Sequence, residues 1–493
     1  MKSAAAVSAA LALLSGTANA FWRMPCRGRT ALARLDPIVD VGTAASHGHT
    51  IHGGSNFGES TTYDDLRASN CTSCAFTDDK SAYWTPSLHF IHASGQVELV
   101  QQVGGMLAYY QFNGDNLRAF PKNFQMLAGD TRQRNFTGPV PDPPTSSWGP
   151  TDKTQPALTA KSLGFNCLNY NKPPEGSRYR HFMPDKTYLD AYCQDGLRAE
   201  LFFPSCWNGQ NATAPDHKSH MAYPDLIDGG RCPKGYPVRT PSLFYETIWA
   251  TQAFKAKNGQ FVWSNGDPTG YGYHGDFMTG WDVDTLQAAL DQCTNLSGKV
   301  EDCPVFNNKL QTEAVQGQCD IQHMPALLQN DDCAGPANGL CGNVPVQYGP
   351  GYANALEPGA GEKPTSAPVL FSSVAPVPTQ SYAPARSQGP GGVSVYAVAP
   401  SVAPLAHTTQ SAQSASPPAP VITPAPTTQP VDGAPAADII GTTTYTSNGI
   451  EYVVVIEEVA VTVTVTDDNS YKMKHRRHAH AMVHARRHAK RHN

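Results

Sequence analysis

The sequence predicts a mostly β fold, an antiparallel sandwich or jelly-roll-like domain with long disulfide-stapled loops and few helices, followed by a disordered tail. Three observations predict it. Runs of aromatic and β-branched residues are punctuated by Gly, Pro and Asn, the pattern of short strands and turns. All twelve cysteines and all seven tryptophans lie before residue 342. Beyond that point the chain turns to Pro, Ala, Ser, Thr and Val, which lack the large side chains needed to offset the entropy of ordering.

Taken in order, residues 1–20 read as a cleaved signal peptide: Lys2 supplies a positive start, Ala4 to Leu14 an apolar stretch, and Ala18-Asn19-Ala20 a small-x-small cleavage pattern. Residues 21–345 form the expected folded domain, large enough for one substantial core. Within it Gln96–Val103, Leu197–Phe203 and Gly259–Trp263 read as strands, and Asp284–Cys293 as the best helix, with Asp284 placed to cap it. Residues 346–440 suit a Pro/Ser/Thr/Ala-rich, O-glycosylated stalk. Residues 441–466 carry a strand-like pattern, ending in the Val/Thr alternation of Val459 to Thr466, able to pair with itself, the domain or another chain. Residues 467–493 form a basic His/Arg-rich tail suited to polyanions or metal, or simply to solvent.

Charge and cysteine usage narrow the function. The whole chain carries −5, but the tail and Lys2 hold nine of its cations, leaving residues 21–471 at −14. So acidic a body argues against nucleic acid as a partner. No apolar run after the leader reaches the ~20 residues that span a bilayer, so no transmembrane segment is expected. An even number of cysteines in an oxidising compartment points to as many as six disulfides of open pairing. The lone CxxC, Cys71 to Cys74, has no second copy to complete a zinc site and is read as structural. Sequons at Asn70, Asn135, Asn211 and Asn295 mark surface loops. The expected location is therefore secreted, extracellular or cell-wall associated.

Candidate chemistry lies in grouped histidines. In the segment from Ser46 to Gly54, His47 and His49 project to one face if extended, and His52 adds a third imidazole, making these the candidate metal ligands. Imidazole suits a divalent transition metal, although the sequence names no cofactor. A second group, Asp216, His217 and His220, and a third, His274 and Asp276, supply the acid–base pairs of a candidate catalytic set. Trp84, Trp207, Trp281 and Tyr271 stand beside polar residues and are the candidate sugar-binding surfaces, with core packing the default for each Trp alone. GxSxG, HExxH and Walker motifs are missing, as is a GxGxxG between strand and helix, so nucleotide binding is unsupported.

Six motifs occur in a consistent order: Phe21 to Met24, the His47/His49 segment, Ser81 to Pro86, Phe203 to Trp207, Asp216 to His220, and His274 to Phe277. Together they resemble the fungal secreted domain of unknown function DUF1996, over roughly residues 36–285. That resemblance implies a secreted or wall-associated protein, sometimes joined to wall-sugar-binding modules, and no settled catalytic assignment. One departure is Tyr236, where such domains often carry His, which removes that loop from the ligand set. The leading expectation is a protein that acts on or binds cell-wall or environmental polysaccharide, with His47, His49, His217, His220, Asp216, His274 and Asp276 converging on one cleft. The alternatives are a non-catalytic wall component or a metal-binding protein, and whether the chain is an enzyme stays open.

Overall fold

The computed structural model describes residues 20–329, 331, 333–359, 438–447 and 450–458. The expected signal peptide (save Ala20), most of the stalk, the Val459–Thr466 alternation and the His/Arg-rich tail lie outside the described residues. The chain divides into two units, residues 1–401 and 402–493.

In chain order the strands open with β1 (Phe21–Cys26), β2 (Ala31–Ala33), β3 (His49–Gly53), β4 (Ala82–Pro86), β5 (Leu88–His92) and β6 (Val97–Leu99). They continue with β7 (Gln102–Gln111), β8 (Gln125–Gly129), β9 (Leu163–Leu168), β10 (Gly196–Phe202), β11 (Cys206–Trp207) and β12 (Met221–Ala222). Next come β13 (Val238–Arg239), β14 (Ser242–Trp249), β15 (Gly259–Trp263), β16 (His274–Met278), β17 (Asp438–Ser447) and β18 (Ile450–Glu458). All of these strands pair antiparallel with their neighbours.

Two five-stranded sheets, ordered β1-β7-β14-β10-β9 and β2-β3-β4-β16-β8, carry the first unit, with two three-stranded sheets beside them. Alternation explains the packing, because successive side chains point to opposite faces. On the second sheet Met126, Tyr83 and Phe277 point toward the main core, which they share with Met106, Tyr110, Leu201 and Tyr245 of the first. The Tyr83 and Tyr245 rings meet edge to face at 5.8 Å, and Tyr245 Oη donates to the carbonyl of Asp276 at 2.9 Å. A Cβ on Gly275 would stand 2.6 Å from Leu201 Cδ2, so the sheets approach closely only because this position has no side chain. Ile51, Trp84, Leu127 and Met278 point the other way, into a separate cluster with Leu35, Ile38 and Ala44 of the loop that covers this outer face.

A polar chain crosses the main core. Trp281 Nε1 donates to Tyr110 Oη at 2.8 Å, the Tyr110 and Tyr83 hydroxyls are 2.8 Å apart, and Tyr83 Oη donates to Asp79 Oδ2 at 2.6 Å. All four side chains are fully buried, so each bond removes a desolvation penalty of about 1–3 kcal/mol per unmet group.

Several expectations shift by local geometry. The run Gln96–Val103 breaks at Val100, whose N–H turns to the Leu88 carbonyl; its halves enter different sheets as β6 and β7. The helix spans Val283–Gln292 and its cap is Asp282, not Asp284: Asp282 is extended and its carboxylate accepts from the Thr285 N–H at 2.9 Å. Five α-helices occur among the described residues. Six disulfides form, and the CxxC ends take different partners, Cys26–Cys74 and Cys71–Cys319. Residues past 345 still lie against the domain: Ala353 N–H donates to the Arg132 carbonyl and Gly359 N–H to that of Ala44. All four sequon asparagines are exposed. In the second unit β17 and β18 pair with each other as a hairpin, with Tyr445 opposite Tyr452.

Candidate functional site

The outer face of the second sheet positions the site. In the register of β3, β4 and β16, His49 lies opposite Pro86 and Ile51 opposite Trp84, which in turn faces Asp276. Continuing that register by two residues puts His274 on the far side of Pro86. On its own far side His274 pairs with Gly129 of β8. His49 and His274 therefore share a row and a face, and Asp276 stands one row further along the same face. His47, two residues before His49, closes over them from the loop. Gly129 has φ +84°, and a Cβ there would fall 2.9 Å from His274 Cα, so only glycine lets the edge strand reach the histidine.

The three imidazoles meet. His47 Nε2 and His274 Nε2 are 3.0 Å apart, and one ligand nitrogen from each of His47, His49 and His274 lies within 4.8 Å of the others. Their rings lie edge-on or tilted, 4.3 Å between the His47 and His49 centroids and 6.0 Å between those of His49 and His274. His49 Nδ1 donates to the Leu35 carbonyl at 3.1 Å and His274 Nδ1 to the Gly272 carbonyl at 3.0 Å, which leaves each Nε2 unprotonated, that of His274 facing His47 Nε2 and that of His49 without a partner. His47 Nδ1 lies 3.1 Å from Ser46 Oγ, and the Ser46 N–H is held by Asp40 Oδ2 at 2.8 Å. Burial, then the neighbouring imidazoles, hold His47 and His49 well below the usual range, and burial brings His274 to about 4. All three are neutral at physiological pH.

Carboxyls surround this trio. Asp276 is buried and neither oxygen has a hydrogen-bond partner. Burial and the nearby Asp36 push its carboxyl well up. Burial also pushes Asp36 up, against two N–H bonds from Ile38 and Val39 at 3.0 Å each. Lys218 reaches in from the other side, its Nζ donating to the Gly129 carbonyl at 2.8 Å, and its charge is felt at both His274 and Asp276.

Lys218 and Gly129 also line a cleft of about 490 Å³ along the β8 edge, with Asp130, Gln155, Tyr236 and Tyr271 among its walls. Tyr271, expected as a binding surface, thus stands in an open cleft, as does Tyr236, which had been set aside as a ligand.

Other expected site residues are placed elsewhere. His52 points through the sheet to the opposite face, where its Nδ1 donates to the Gly28 carbonyl at 2.8 Å, so it does not join His47 and His49. His274 takes its place. Asp216 closes its own turn by accepting from Lys218 N, Ser219 N and Ser219 Oγ; although burial opposes them, these bonds hold its carboxyl down to about 2. His217 lies 3.0 Å from Thr213 Oγ1, and His220 donates from Nε2 to the Gln125 carbonyl at 2.8 Å. This loop flanks the cleft but does not converge with the other histidines. Trp84 and Trp281 have no exposed surface and pack in cores, which rules them out as sugar platforms. Trp207 is half-buried against Phe124 and donates from Nε1 to the Asn211 carbonyl at 2.7 Å. Sequence reasoning missed Asp36, Asp40 and Lys218; the acids just before the histidine segment, in Asp36 to Asp40, were the available signal.

A family model described as "Domain of unknown function (DUF1996)" matches residues 36–281. That range contains every residue of the histidine and carboxyl cluster and ends at Trp281. No curated protein and no solved structure matches the chain.

Proposed function

Because the chain belongs to the DUF1996 family, whose description assigns no activity, we propose from its own site that it is a secreted or wall-associated protein that binds and acts on polysaccharide in the β8-edge cleft. One observation carries the reading: the open cleft and the buried His/Asp cluster share a wall. Gly129 lines the cleft and pairs with His274, while Lys218 lines it and donates across Gly129. The cleft offers what a sugar needs. The rings of Tyr236 and Tyr271 match the apolar C–H faces of a pyranose, and Asp130, Gln133 and Gln155 present acceptors and donors for hydroxyls. Behind that surface, outside the cleft lining itself, lie the buried imidazoles and the Asp276 carboxyl, which burial pushes up. Six disulfides are compatible with an oxidising exterior.

The test is retention of the full chain on a panel of insoluble wall glycans, beside Tyr271→Ala and Lys218→Ala. At least one glycan should retain the wild type, and each variant should bind it about tenfold more weakly, equivalent to about 1.4 kcal/mol. Retention of both variants at wild-type strength, or of nothing by the wild type, overturns the proposal.

A further inference from the structure

We infer that His47, His49 and His274 form a binding site for one divalent transition metal ion of the zinc or copper kind. The inference stands apart from glycan binding, since it rests on the trio alone.

The first argument is convergence. Ligands bound at about 2.0–2.1 Å in a tetrahedron stand roughly 3.3 Å from one another. The trio's nitrogens, 3.0 Å apart for His47 and His274 and no more than 4.8 Å apart for any pair, bracket that separation. Small ring movements suffice to centre an ion.

The second is the outer hydrogen bonding. A metal-bound histidine donates its other N–H to a carbonyl or carboxylate, which fixes tautomer and ring angle. His49 does this with Leu35 and His274 with Gly272, both from Nδ1 and both leaving Nε2 inward. His47 is held by Ser46, which is held in turn by Asp40. Three imidazoles from one loop and two strands thus have their outward nitrogens held and their inward nitrogens pointed at one another.

The third is what stays unmet without an ion. A hydrogen between His47 Nε2 and His274 Nε2 satisfies those two, but His49 Nε2 remains buried with no partner. Both oxygens of Asp276 are in the same condition on the same face. A bland hydrogen-bonded histidine cluster accounts for neither. One dication satisfies the His49 lone pair. Neutral imidazole nitrogens suit zinc and copper better than calcium or magnesium, which take oxygen ligands. Three histidines with a free fourth position is the ligand pattern of zinc sites that activate water. Asp276 lies one row away on the same face.

The experiment is metal analysis of the secreted full chain after dialysis against Zn²⁺ and, separately, Cu²⁺. The six histidines of residues 467–493 can also take up metal, so the readout is the difference from variants with an identical tail. His49→Ala and His274→Gln should each bind a single equivalent less than the wild type, and His217→Ala should bind as much. Chelation should lower the melting temperature of the wild type, and the bound ion should restore it, while neither change occurs in His49→Ala. A Cu²⁺-loaded sample should show three-nitrogen hyperfine structure that the variants lose. Equal metal in the wild type and in cooperatively melting His49→Ala and His274→Gln, for both ions, overturns the inference. A wild type that binds metal but no glycan leaves it standing and removes only the glycan reading.

Discussion

Asp79 shows what burial does to a single carboxyl. It is buried beneath Tyr83, and burial pushes its carboxyl from 3.8 to about 6 despite bonds from Tyr83 and Ser81. A folded-state value above the unfolded one means that its contribution is most favourable below pH 3.8 and is lost as pH rises through about 6. By pH 7 the ionised group costs about 3 kcal/mol relative to an exposed carboxyl. Asp79→Asn keeps an acceptor for Tyr83 and removes the charge, so it should raise stability near neutrality, with the gain vanishing near pH 4. Melting curves of both proteins across that range decide it: a variant that is weaker at pH 7, increasingly so with pH, means that the tyrosine bond outweighs the desolvation. The residue scale is also where sequence reading met its limits. Period-two alternation puts His47 and His49 on one face and, applied once more, sends His52 to the other. Trp84 and Trp281 were ambiguous because polar neighbours in sequence, Thr85 and Asp282, face away from them or cap a helix.

Among the elements, β16 does most to join fold and site. Its alternate residues His274 and Asp276 face the outer cluster, while Gly275 and Phe277 face the main core. The same strand therefore couples packing between the sheets to the geometry of the imidazoles. Gly275→Ala places a methyl 2.6 Å from Leu201 Cδ2 and 3.3 Å from the Tyr245 ring. Leu201 can yield, so the expected cost is about 1–3 kcal/mol rather than loss of fold. Denaturant titration measures it, and an unchanged midpoint would mean that the sheets have slack at this point. Strand existence was readable from local composition at Gly259–Trp263 and Leu197–Phe202. Strand partnership was not, since it depends on which distant segment completes each sheet, and that is why the expected cleft held His217 and His220 as well as His274, with nothing to single out His274 as the one that meets His49.

For the molecule as a whole, the C-terminal part of the first unit ties down the segments before and after β3. Asp331 forms a two-pronged ion pair with Arg34, Gln322 N–H donates to the Ser55 carbonyl, and Cys319 is bonded to Cys71 across 248 residues. A link spanning so long a loop should contribute more than the Cys333–Cys341 link across 8 residues. Replacing Cys71 and Cys319 by Ser should lower stability by about 2–5 kcal/mol, and replacing Cys333 and Cys341 by less, read from denaturant midpoints. The reverse ranking would show that local fit, not chain entropy, sets the contribution of each link. The mostly β, disulfide-rich character was plain from cysteine and aromatic usage, whereas the pairing of twelve cysteines follows only from the fold.

The distance along the chain between the imidazoles has a temporal meaning. His47 and His274 touch, yet 227 residues separate them. A chain emerging from synthesis N-terminus first presents His47 and His49 long before β16 exists, and in the sheet β16 joins β3 only through β4, which lies between them. Until β16 forms, the metal site inferred above has only two of its three ligands. On that inference, metal capture would mark the completion of folding rather than its start.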